Sequence, residues 1–123
     1  MSLTDSLKAV IESSLSKDER EHAVVYVDDR VLPPGTFTLG ERECQIDYPY
    51  VTVFIDDAPG GNWMHSCRYL LIHPDGDAVT SIDSDRPPLF GILPSSWRVL
   101  ICPAGLEEWK LIPIEVPPKP QTT

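Results

Sequence analysis

Long apolar runs are missing from this 123-residue sequence, and no stretch approaches the ~20 apolar residues that a membrane-spanning helix needs. The N-terminus also lacks a basic region followed by an apolar one, so we expect no secretory signal and a cytoplasmic protein. Cysteine is scarce, and because Cys44, Cys67 and Cys102 cannot all pair within one chain, we expect reduced thiols. Neither a membrane protein nor a disulfide-stabilised scaffold fits this composition.

Basic residues are few, since 10 Lys and Arg face 19 Asp and Glu and give a formal charge of −9. Such a surface repels phosphate backbones and anionic lipid heads, so we expect no nucleic-acid partner and no membrane binding. A basic protein or a cation remains a suitable partner. The alternative is that the charge only keeps the protein in solution.

Familiar catalytic and metal-binding motifs are absent as well. The chain contains no CxxC, HExxH, GxSxG or GxxxxGK[ST] pattern. We therefore expect no cofactor and no metal site.

One amphipathic helix and a series of short strands are what the pattern does predict. Apolar residues recur at helical spacing near the N-terminus, at Leu3, Leu7, Val10, Ile11 and Leu15. Residues 17–21 follow as a solvated last turn or linker. Short apolar runs then predict strands at 23–27, 36–39, 50–55, 67–73, 78–82, 97–102 and 109–116. The last two are expected to form a hairpin, as are the two runs that flank Pro74-Asp75-Gly76-Asp77.

The predicted fold class is α+β, with the N-terminal helix packed on a mostly antiparallel sheet of five to seven strands. Residues 1–116 form a single domain, and the proline-rich residues 117–123 form an extended tail. Because runs 50–55 and 97–102 do not alternate, both sheet faces are expected to be covered. Either the sheet curls on itself or a second copy covers it, which leaves a homodimer open.

The only local arrangement suited to covalent chemistry is His65 with Cys67, where a glycine-rich loop meets a strand. An imidazole can activate a thiolate when the two side chains come within hydrogen-bond reach, and Asp57, Asp56 or Asn62 could orient the imidazole. In an enzyme, the catalytic residues would be His65, Cys67 and Asp57. The alternative is that Cys67 is a core residue, since free cysteines are among the most buried residue types.

Four carboxylates are expected to lie at one end of the sheet. If strands 50–55, 67–73 and 78–82 form a meander, Asp56, Asp57, Asp83 and Asp85 meet at the same edge. Carboxylates that lie close together can divide acid and base roles, bind a cation or contact a partner. Carboxylates are also ordinary residues of turns. Arg68 is available to neutralise them, as is Arg86.

An aromatic loop is the other predicted contact surface. Trp63 and Met64 lie in the glycine-rich loop, and such side chains on loops are common interface anchors. The alternative is that Trp63 folds back over the core.

These observations predict a non-enzymatic cytosolic protein-binding module of the adaptor, inhibitor or immunity type. Its contact residues would be Trp63 and Met64 with the four carboxylates named above. A compact acidic surface suffices to mask a basic toxin or enzyme without catalytic machinery. One alternative is a cysteine- or carboxylate-dependent hydrolase that uses the His65–Cys67 segment, and another is a structural subunit of a larger assembly.

Overall fold

The computed structural model describes residues 3–39, 42–59, 67–85 and 92–115. Its elements are α1 (Leu3–Ser13), α2 (Lys17–His22), β1 (Val24–Asp28), β2 (Gly35–Leu39), β3 (Arg42–Ile46), β4 (Val51–Asp56), β5 (Cys67–Ile72), β6 (Val79–Ser84), β7 (Trp97–Ile101) and a 3₁₀ turn (Glu108–Lys110). Trp63, Met64, His65 and the tail 117–123 lie outside the described residues.

Five strands form one antiparallel sheet in the order β6-β5-β4-β1-β7, and β2 pairs with β3 in a separate hairpin. The β-branched and aromatic residues of β1 and β4 favour this central position, since they pack well on a pleated surface. Together with α1, this architecture confirms the predicted α+β fold class. Among the helices that the described residues form, none combines the length and apolar character needed to cross a bilayer.

Both faces of the sheet are covered by the chain itself. On one face, α1 packs its apolar stripe against the sheet; Leu7, Ile11, Leu15, Val25, Val53, Ile55 and Leu70 belong to this first core. On the other face, the β2–β3 hairpin and the C-terminal segment cover the aromatic residues; Tyr26, Phe54, Tyr69, Leu93 and Trp97 belong to this second core. This double coverage explains why β1 and β4 are buried along their whole length instead of alternating.

The predicted hairpin between β5 and β6 is present, and its turn contacts α1. Gly76 adopts φ +82° and donates its backbone N–H to the carbonyl of His73 at 2.7 Å. A Cβ atom at Gly76 would lie 3.2 Å from Cγ2 of Val10. Glycine is therefore required both by the backbone conformation and by the close approach of the helix.

The predicted hairpin between residues 97–102 and 109–116 is wrong. Strand β7 pairs with β1, and the later segment contains the 3₁₀ turn Glu108–Lys110 instead of a strand. Prolines at positions 103 and 113 have no N–H to donate to a ladder, so they disfavour strand pairing here.

The sequence pattern does not predict two short elements, strand β3 and helix α2. Strand β3 has the mixed sequence Arg-Glu-Cys-Gln-Ile, which carries a weak strand signal.

Residues 17–21, predicted as a solvated turn or linker, belong to helix α2. A capping box starts this helix: Oγ of Ser16 accepts from the N–H of Glu19 at 3.1 Å, and Oε1 of Glu19 accepts from the N–H of Ser16 at 2.9 Å. The cap fixes the place of the Glu19 carboxylate.

Candidate functional site

The structure places Cys67 in the second core. It is the first residue of β5, is 3 % exposed, and belongs to the same apolar cluster as Val24, Phe54 and Tyr69. Apolar surroundings disfavour the thiolate form of a cysteine. The proposed partner His65 lies outside the described residues, so the pairing of the two side chains stays a prediction.

Thiol labelling distinguishes a reactive from a buried Cys67. Cys102 is exposed, Cys44 is half-buried and Cys67 is buried. We expect iodoacetamide to alkylate Cys102 fastest in the folded protein, and Cys67 only when the sheet opens. Peptide mass spectrometry after timed labelling measures the three rates separately. If iodoacetamide alkylates Cys67 in the folded state as fast as Cys102, the interpretation of Cys67 as a nucleophile is supported.

The carboxylates Asp56, Asp57, Asp83 and Asp85 lie at one end of the sheet, but their environments differ. Strand β4 ends at Asp56, which pairs with Cys67, and Cys67 pairs with Ser84 near the end of β6. Asp56 is buried, and its Oδ1 accepts from the N–H of Ala58 at 3.1 Å. Asp83 and Asp85 are exposed, and Asp57 is partly buried.

Arg68 connects this end of the sheet to the helical segment. Its Nη2 and Nε donate to the Glu19 carboxylate at 2.7 and 3.2 Å, and Nη2 also donates to the carbonyl of Ser14 at 2.8 Å. Its Nη1 reaches Oγ of Ser81 at 3.2 Å. The Arg68 and Glu19 side chains are 19 % and 13 % exposed. The bidentate pair is therefore largely removed from water.

Asp57 completes a cluster with Glu19 and Arg68. Its Oδ1 is buried and has no hydrogen-bond donor among the residues that the structure describes, and its carboxyl group lies close enough to that of Glu19 for the two to share a hydrogen bond. Two carboxyl groups can share a hydrogen bond only if one of them carries a proton. Burial, the bond to Glu19 and its negative charge raise the pKa of Asp57 to about 7, whereas Arg68 opposes the shift.

Glu19 is the ionised member of this pair. Burial alone would raise its pKa, but the hydrogen bonds from the Ser16 backbone and from Arg68 outweigh that effect and hold the pKa below its ordinary value. Below about pH 7, a protonated Asp57 carboxyl group therefore lies beside an ionised Glu19. This arrangement can store a proton near neutral pH and can serve as a general acid.

The sequence pattern predicts Asp57 and the nearby Arg68 as site residues, but its apolar periodicity does not indicate Glu19. The pattern Ser16-x-x-Glu19 was the available signal, because a serine followed three residues later by glutamate marks a helix start. No group of three or more His, Cys, Asp or Glu side chains in the described ranges is arranged to hold a metal ion.

Strand β6 forms an open, acidic edge of the sheet, which we call the β6 edge (Val79–Ser84). Within the described residues, no strand pairs with its outer side. Val79 is 41 % exposed, and Ser81 and Asp83 are exposed on the same face. The turn that precedes β6 adds the exposed Asp75 and Asp77. Backbone hydrogen-bonding groups and negative charge therefore lie together along this edge.

No protein-family model matches this chain, and the comparisons with curated proteins and with solved structures gave no significant match.

Proposed function

We propose that this protein is a binding module for a basic protein partner and that an extended segment of that partner pairs with the β6 edge. The supporting observation is an open edge strand bordered by exposed carboxylates at both ends, Asp75 and Asp77 before it and Asp83 and Asp85 at its end. Addition of a strand to such an edge supplies main-chain hydrogen bonds, while side chains at alternate positions supply specificity.

The chemistry of the partner segment follows from the register. Val79, Ser81 and Asp83 share one face of β6, and Arg68 already donates to Ser81 on that face. An added strand places alternate side chains beside these three, so a lysine or arginine near Asp83 gains an opposite charge. The six residues of β6 span about 20 Å, enough for a segment of similar length.

The same edge disfavours pairing with a second copy of itself. Two β6 edges brought together would juxtapose their aspartates, and like charges across a strand pair are destabilising. The net charge of −9 acts in the same direction at longer range. An adaptor, inhibitor or immunity-type protein for a basic target has these properties.

Two synthetic peptides of about 12 residues test this proposal, one alternating lysine and threonine and the other glutamate and threonine. We expect only the lysine peptide to shift the NMR amide signals of Val79–Ser84 and to slow their hydrogen exchange. The charge-reversal variant Asp77→Lys/Asp83→Lys should weaken the lysine peptide at least about tenfold.

The variant Glu108→Lys/Glu115→Lys is the matched control, because it changes the net charge equally at exposed positions outside β6. It should retain binding. Equal weakening by the two variants, or signal shifts scattered over the surface, would show charge attraction without a site and would contradict the proposal.

A second candidate function is carboxylate-dependent hydrolysis. The observation that favours it is the partly buried Asp57 carboxyl group beside Glu19, because burial and this neighbour raise the pKa of Asp57 to about 7, and a carboxylic acid with such a pKa can act as a general acid. Hydrolysis of a chromogenic ester or glycoside that is lost in Asp57→Asn and kept in Cys67→Ala would support it. Loss in Cys67→Ala alone would favour the cysteine-dependent version instead.

A further inference from the structure

Trp109 is a fixed aromatic side chain on the surface. It is 67 % exposed, although tryptophan is the largest residue type. Its indole N–H donates to the Glu107 carboxylate, and the Lys110 ammonium lies 5.5 Å from the ring centroid. One contact comes from Glu107, which directly precedes the 3₁₀ turn, and the other from Lys110 within the turn. An exposed ring that is already held in place loses little conformational freedom when a partner covers it.

An apolar depression adjoins this ring, and we call it the Trp109 groove. It has a volume of about 430 Å³ and is lined by Val99, Glu108, Trp109, Leu111, Ile112, Pro113 and Ile114. Apart from Glu108, the lining residues are apolar. The space suits one bulky aliphatic or aromatic side chain of a partner.

The far wall of the groove is anchored to the core. The hydroxyl of Tyr26, which is fully buried on β1, accepts from the N–H of Ile112 at 2.9 Å. Ile114 forms an isolated bridge with Leu93, and the carbonyl of Leu93 accepts from the N–H of Glu115 at 2.7 Å. The groove is thus formed before a partner arrives.

The rim of the groove is acidic. Glu107, Glu108 and Glu115 are exposed, and the nearby cation, Lys110, is paired with Glu107 at 3.7 Å. A second copy docked here about a twofold axis would bring the same glutamates towards one another, which is unfavourable. Charge complementarity therefore selects a partner segment that carries positive side chains.

We propose that the Trp109 groove docks a protein segment that presents one bulky apolar side chain flanked by lysine or arginine. The apolar side chain fills the depression against the indole, and the cations meet Glu108 and Glu115. The proposal does not depend on binding at the β6 edge. The lining residue Val99 lies on β7, and β6 is the opposite edge of the sheet, four strand spacings or about 19 Å away. Both surfaces can be occupied at once.

Selection from a phage-displayed library of random peptides of about 12 residues, on the full chain at about 0.15 M salt, tests this inference. We expect enrichment of peptides in which a bulky apolar residue lies next to lysine or arginine. Synthetic copies should bind Trp109→Ala at least about tenfold more weakly, because a central tryptophan is a frequent hot spot.

Three further variants keep the test independent of any folding defect in Trp109→Ala. Glu108→Lys/Glu115→Lys leaves the apolar groove in place and should also weaken these peptides. Glu21→Lys/Glu43→Lys changes the net charge equally at exposed positions that belong to neither surface, so it should leave binding unchanged. Asp77→Lys/Asp83→Lys reports any binding at the β6 edge.

Enrichment of acidic peptides, peptides that bind Trp109→Ala as well as the wild type, or no enrichment would each overturn the proposal. Peptides weakened only by Asp77→Lys/Asp83→Lys would overturn the groove and support the β6 edge. The two proposals can therefore fail separately.

Discussion

Replacement of Arg68 by methionine should lower the free energy of unfolding by about 2 to 4 kcal/mol, because it removes the cation from a largely buried pair. The change leaves the Glu19 carboxylate beside Asp57 with no guanidinium to neutralise it. It also removes the donor to the carbonyl of Ser14 at the end of α1. Methionine retains much of the apolar stem, so the loss reports charge and hydrogen bonding more than packing. Urea denaturation at neutral pH with an unchanged m value measures it.

Arg98→Met is the matched control for this variant. Arg98 pairs with Asp29 at 3.6 Å, and both side chains are substantially exposed. An exposed pair contributes about 0 to 1 kcal/mol, so the control should lose far less stability. Arg68→Lys should fall between the two, because lysine keeps the charge but cannot form the bidentate contact. Equal, small losses for Arg68→Met and Arg98→Met would show that the cluster does not hold α2 to the sheet.

The elements that sequence patterns predicted are those whose signal is local. The stripe at Leu7, Ile11 and Leu15 identifies α1, and the β-branched run of β4 identifies a buried strand. Helix α2 has six residues and buries none of them, so it offers no apolar periodicity, only its capping box. Apolar periodicity therefore cannot identify α2, the helix that carries Glu19.

The candidate site depends on contacts that no local pattern contains. Glu19 and Arg68 are 49 residues apart, and they meet only because α2 returns to the sheet end where β5 begins. A shift of one residue in the register of β5 would move Arg68 into the second core and Cys67 towards the helix. The sequence predicted that carboxylates gather at this end, but the pairing of Asp57 with Glu19 required the three-dimensional structure.

Which aromatic residues are exposed also depends on contacts between distant parts of the chain. The glycine-rich loop predicts Trp63 as the exposed ring, and the apolar pattern of residues 109–116 predicts a strand. Trp109 instead lies on a 3₁₀ turn between proline-containing segments, where nothing in the described chain covers most of its ring. Trp97, by contrast, is buried at the start of β7.

Between about pH 5 and pH 8, the stability of the protein should fall as the pH rises, and Asp57→Asn should remove most of that fall. The folded-state pKa of Asp57 is raised from 3.8 to about 7, so the folded protein holds a proton that the unfolded chain releases. The stabilisation from this proton is fully present below pH 3.8 and is lost as the pH rises through about 7.

The contribution of Glu19 to stability changes over a different pH range. Its folded-state pKa is lowered from 4.5, so its contribution is present above pH 4.5 and is lost only as the pH falls through the lowered value. It is therefore constant from about pH 5 upwards, and the decline above that pH isolates Asp57. The two opposite windows place the greatest stability of this cluster in mildly acid solution.

The carboxamide in Asp57→Asn can donate an N–H to Glu19 without needing a proton from solvent. We expect this variant to exceed the wild type by about 1 to 2 kcal/mol at about pH 8, and to match it more closely at about pH 5. Urea denaturation at a series of pH values measures the difference. Asp83→Asn is the control, because it makes the same charge change at an exposed position. Its curve should run parallel to that of the wild type, whereas parallel curves for Asp57→Asn would mean that Asp57 and Glu19 share no proton. A flattened curve for Asp57→Asn alone would establish that the proton shared by Asp57 and Glu19 holds α2 against the end of β4, and that this contact weakens as the pH rises.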